Sequence, residues 1–138
     1  MVIDCHTHLN RYEPSEPATL PERYRLLRSD MDEHGVDYAL VLSSYKVNED
    51  RPSTDEILEV VEGDPRIGVV AGVSYQHYRA ADLAHLRTLL RTRRIKGLKL
   101  SPGYEPFYVH DARLRVVYEL AAEFDVPVMI HTGDTYDP

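Results

Sequence analysis

Two hydrophobic periods alternate along this chain: short unbroken apolar runs, and stretches in which apolar residues return every third or fourth position. The first run, Val2-Ile3-Asp4-Cys5, reads as a short buried strand that leads into His6-Thr7-His8. Residues 10–18 carry Pro14 and Pro17 and read as a loop. Thr19-Leu20-Pro21-Glu22 is a capping box, in which the Thr19 hydroxyl and Glu22 carboxylate satisfy free N–H groups at a helix start. Leu20, Tyr24, Leu27 and Met31 then give one apolar stripe, and Gly35 is the expected stop. Tyr38 to Leu42 is a continuous apolar run, the mark of a strand covered on both faces.

The unit repeats. Ser53-Thr54-Asp55-Glu56 is a second capping box, leading Ile57, Leu58, Val60 and Val61 into Gly63 and Pro65. Ile67 to Val73 predicts a third strand, and Ala81, Leu83, Leu86, Leu89 and Leu90 a third helix with a basic end. Ile95 to Leu100 predicts a fourth strand. Asp111 stands where it can cap a helix carrying Leu114, Val117, Tyr118 and Ala121, and Val126 to Ile130 predicts a fifth strand ending at His131. Strand and helix alternating at about thirty residues per unit build parallel sheets with right-handed crossovers. Two architectures remain open, an open doubly wound sheet and part of a (β/α)8 barrel. No Gly-rich phosphate loop follows the first strand, where doubly wound nucleotide-binding folds place one. A complete barrel takes about 250 residues, so that reading makes residues 1–138 a single domain forming the N-terminal portion of one.

Composition narrows the partners. The net charge of -7 argues against nucleic acid and anionic membrane surfaces. The one cysteine, Cys5, excludes an internal disulfide framework, and strand alternation places it opposite His6, packed under a helix. There is no apolar stretch of membrane-spanning length and no basic segment ahead of an apolar one at the start, so the expected location is cytoplasmic.

Candidate chemistry gathers at the strand ends, where parallel α/β folds keep their functional face. In a strand, His6 and His8 point the same way, roughly 7 Å apart along the chain, close enough for two imidazoles to share an ion. The plainer reading is a pair of polar residues satisfied by water or backbone. His131, on the face of Met129, turns towards the same rim, and three such ligands with one open position make a catalytic metal site. Between Leu98 and Leu100, Lys99 faces inward, either metal-linked or substrate-facing, or paired structurally with Asp4 on the His6 face. Asp134 is a candidate for orienting a ligand or touching substrate. His77 and His110 lie in loops within reach of the rim, whereas His34 and His85 belong to helices.

The segments Ile3-Asp4-Cys5-His6-Thr7-His8, Lys96 to Pro102 and Pro127 to Gly133 resemble the metal-dependent amidohydrolase superfamily, most closely its amidohydrolase-related branch with aminocarboxymuconate semialdehyde decarboxylase. That resemblance implies a TIM barrel with a divalent metal, commonly zinc, held by His6, His8 and His131. It implies metal-dependent hydrolysis of a C–N or C–O bond in a small-molecule substrate, or decarboxylation of a small carboxylic acid. Superfamily members also use a sixth-strand histidine and an eighth-strand aspartate, which have no counterpart before Pro138. The isolated chain is therefore expected to be inactive or weakly active. A different reading is an inactive fragment or assembly module that forms homo-oligomers through exposed sheet edges.

Overall fold

The computed structural model describes residues 1–133. Five parallel strands, β1 (Ile3–Thr7), β2 (Tyr38–Leu42), β3 (Ile67–Gly72), β4 (Gly97–Leu100) and β5 (Val128–Ile130), alternate with helices α1 (Leu20–Glu33), α2 (Thr54–Val60), α3 (Ala80–Arg91) and α4 (Arg115–Glu123). The strands stand in the sheet in chain order, β1-β2-β3-β4-β5. Doubly wound sheets reverse direction at a switch point. An unbroken sequential order with right-handed crossovers instead puts every helix on one side, which is a half-barrel. The open-sheet alternative is thereby excluded.

The helix starts form as their sequences dictate. The Glu22 carboxylate accepts the Thr19 N–H at 3.2 Å, and Ser53 and Glu56 exchange bonds of 2.8 and 3.2 Å. Asp111 departs from expectation: it precedes a 3₁₀ turn, Ala112–Leu114, and its carboxylate takes the Tyr108 N–H at 3.0 Å instead of capping α4. Three helices end in the same Schellman motif, with Val36 N–H on Met31 O (2.8 Å), Arg94 N–H on Leu89 O (2.9 Å) and Val126 N–H on Ala121 O (3.1 Å). The left-handed residue each motif requires is Gly35 in the first, but Arg93 and Asp125 in the others, at φ 58° and 52°.

Strand alternation divides the sheet cleanly. Ala39, Val41, Val69, Ala71, Leu98 and Leu100 face the helices and form the core with Met31, Ile57, Leu89, Val117 and Leu120. Gly72, Lys99 and Met129 share a row on the concave face, paired in parallel register. Gly72 cannot be larger, because a Cβ there would lie 2.6 Å from the carbonyl oxygens of Ser43 and Ser44.

The edges differ from the sequence reading. β1 is not buried, since β2 is its only strand neighbour among the described residues: Val2 and Ile3 are 54% and 49% exposed, and Cys5 is exposed rather than covered by a helix. Its pairing is also irregular. Asp4 opposes Ala39 while Thr7 opposes Val41, so three steps on β1 match two on β2. Such a bulge shifts alternation by one position. Asp4 consequently lies with Thr7, Leu27 and Met31 in a groove against α1, on the opposite side from His6. Among the described residues no helix is long and apolar enough to cross a membrane.

Candidate metal centre

At the C-terminal end of the sheet, the loops after β1, β2 and β4 enclose a cavity of about 250 Å³ whose walls include His6, His8, Lys99 and His131. His6 projects from within the β1 bulge and His8 from directly after the strand, and their Nε2 atoms stand 3.1 Å apart. Two nitrogens each bound to one tetrahedral zinc lie about 3.3 Å from each other, so this separation fits a shared ion. His8 is held from behind by its Nδ1, 2.8 Å from the Leu42 carbonyl oxygen. A carbonyl only accepts, so Nδ1 carries the proton and Nε2 offers its lone pair to the cavity. Burial, then His6, pushes the His8 pKa down to about 4. That of His6 is lowered by burial first, then by Lys99 and His131. Both shifts favour the neutral imidazole, the form a metal ligand needs.

His131 reaches the same cavity from β5, the far edge of the sheet. Its N–H continues the ladder to Leu100 O at 2.9 Å, and its ring lies 4.8 Å from that of Tyr104. Among the described residues no three His, Cys, Asp or Glu side chains stand close enough together to grip one ion. The short-range pair is therefore His6 and His8, with His131 on the same wall.

Lys99 is 5% exposed and faces inward as its flanking leucines predict. Asp4 is not its partner. The bulge turns Asp4 away, and the Asp4 carboxylate accepts the His6 N–H at 3.0 Å. No ion pair involves Lys99 among the described residues, and burial lowers its pKa. Asp134 lies outside the described residues.

The other histidines have separate surroundings. His34 caps α1 through Asp30 O, and His85 bridges α3 to Asp55 on α2 at 2.9 Å. His77 lies with that pair in a different cavity of about 370 Å³ between α2 and α3. His110 stacks on Tyr108 and does not line the His6–His8 cavity.

Several site residues were not legible in the sequence. Arg51, at the end of the β2–α2 loop, adds a second cation to the cavity wall, and Tyr45 and Tyr104 stack across it at 6.1 Å. No acidic side chain lines it among the described residues. Glu105 is 3% exposed and accepts from Ser74 Oγ, Tyr75 N and Gln76 N at 2.7, 2.9 and 3.0 Å, tying the β3–α3 loop to the β4–α4 loop. Loop residues with no periodic pattern give no local signal that they converge.

Residues 3–138 match the Amidohydrolase family, and the chain belongs to it. No curated protein matches it in sequence. Among solved structures it is similar to the crystal structure of a probable 2-pyrone-4,6-dicarboxylic acid hydrolase from Acinetobacter baumannii with citric acid bound, at 19% identity and a TM-score of 0.64. The match covers 95% of this chain and 49% of that one, so the chain spans about half the length of its structural relative. The likeness is one of fold.

Proposed function

We propose that this chain carries the metal-ligand half of a metal-dependent hydrolase acting on a C–N or C–O bond of a small anionic molecule. The observation that carries the reading is the 3.1 Å separation of the His6 and His8 Nε2 atoms, with His8 already oriented by Leu42. His131, on the same cavity wall although the three rings do not yet converge, is the third proposed ligand, brought in by a turn of its side chain. A divalent ion in this site, zinc by its nitrogen donors, supplies Lewis-acid polarisation of a carbonyl and lowers the pKa of water. Lys99 and Arg51 favour an anionic group on the substrate, since two cations face a cavity with no described carboxylate on its wall. Asp134, three residues past His131, is proposed to orient a ligand or contact substrate.

The same two cations favour a second reading, decarboxylation of a small carboxylic acid, in which they hold the carboxylate. Substrate consumption with release of carbon dioxide and no added water distinguishes that reaction from hydrolysis. The chain alone is proposed to turn over slowly or not at all, because it spans half of the related fold.

The test is zinc uptake by the purified chain, measured by metal analysis and by competition with a chromogenic chelator. We expect His6→Ala and His131→Ala each to weaken uptake by about 10-fold or more. Full metal content in both variants would remove the proposed site.

A further inference from the structure

Arg23, in the first turn of α1, is 7% exposed, and no ion pair involves it among the described residues. Three effects oppose a cation there: loss of water, the positive end of the helix dipole, and no carboxylate to answer it. What it has instead is backbone. Its Nε donates to Leu9 O at 2.7 Å, and one Nη donates to Pro17 O and Ala18 O at 3.1 and 2.8 Å. The guanidinium therefore closes the β1–α1 loop on itself, from the residue directly after His8 to the residues directly before the helix.

We infer that Arg23 is a positioning residue for the His6–His8 pair, an inference that rests on the metal-site reading. His8 leaves the sheet with few ties of its own. Thr7 Oγ donates to Leu40 O at 2.9 Å just before it, and its own ring is fixed on Leu42 O at 2.8 Å. The peptide after it is fixed where Leu9 meets the core and Arg23, and two residues further on by the Arg11 N–H on Asp50 O at 2.7 Å. Leu9 is 2% exposed, and its carbonyl would otherwise be a buried acceptor. Without the clamp the peptide between the Leu42 bond to His8 and the Asp50 bond to Arg11 loses its buried tie, and the two Nε2 atoms lose part of their common focus. A planar donor with a fixed fork suits a task that spans three carbonyls, which an ammonium does less well.

The experiment measures zinc affinity by chelator competition, and thermal stability, for the 138-residue chain and for Arg23→Met, Arg23→Lys and Tyr24→Phe. Tyr24 is the next residue on the same helix, and its hydroxyl donates to Asp64 at 2.6 Å, away from the His6–His8 cavity. We expect Arg23→Met to lose about 10-fold or more in zinc affinity, the range for residues that orient ligands. Arg23→Lys should fall between it and the wild type, and carries the test if Arg23→Met does not fold. Tyr24→Phe should lose stability while keeping wild-type zinc affinity. If the wild type binds zinc and the Arg23 variants bind it equally well, or if Tyr24→Phe loses as much affinity, Arg23 is only a loop anchor and the inference fails. Wild-type protein that takes up no zinc defeats the metal reading itself, and this inference with it.

Discussion

The His8 ring, one residue past β1, and the Leu42 carbonyl oxygen, at the end of β2, meet at 2.8 Å. This bond joins the sheet's backbone to the proposed chemistry: it fixes which ring nitrogen keeps its proton and aims the other at His6. It lies where β1 and β2 run side by side, just past the bulge between Asp4 and Thr7.

The pH dependence of stability follows from that environment. His8 has a folded pKa of about 4, below its ordinary 6.5. Between those values the unfolded chain binds a proton that the folded chain does not, so stability rises with pH. Denaturant unfolding should show the free energy falling as pH drops from 6.5 towards 4. His8→Asn should flatten that slope; an unchanged slope would mean the ring is not held neutral.

Glu105 should be a stability residue and not a ligand. Glu105→Gln replaces a buried acceptor of three hydrogen bonds by a group that brings its own donors, at a cost of about 1–3 kcal/mol. Urea unfolding measures the loss. Zinc affinity should stay at the wild-type value, since Glu105 does not line the His6–His8 cavity.

Replacing the two non-glycine residues in the Schellman motifs should stabilise the protein. A left-handed non-glycine residue costs about 1–2 kcal/mol, and glycine returns part of that as chain entropy. Arg93→Gly and Asp125→Gly, at φ 58° and 52°, should each raise the melting temperature by about 2–4 °C. Gly35→Ala, at φ 67° with nothing near its Cβ position, should lower it through backbone strain alone. Calorimetry of the three variants checks both signs.

The isolated chain should self-associate through its open edges. Among the described residues β1 and β5 each have one strand neighbour, and Val2, Ile3 and Ile130 are 54%, 49% and 39% exposed. Charged side chains on an edge strand block such pairing. Sedimentation should show concentration-dependent oligomers for the chain, reduced by Ile3→Lys and Ile130→Lys. A compact monomer at all concentrations would contradict this.

By itself the sequence determined what is local. The order of strands and helices, the capping boxes at Thr19 and Ser53, the stop at Gly35 and the inward turn of Lys99 all follow from neighbours within a few residues. The His-x-His pair at the end of β1 and the histidine at the end of β5 were equally legible, because residue type and strand position sufficed. Tertiary structure alone decided the rest. Strand order, which separated a half-barrel from a doubly wound sheet, is a choice among distant pairings. The β1 bulge, set by packing against β2, moved Asp4 to the α1 side and left Lys99 without it. Arg23, Arg51 and Glu105 came into place through hydrogen bonds and cavity contacts with loops far along the chain, a convergence that no local pattern encodes.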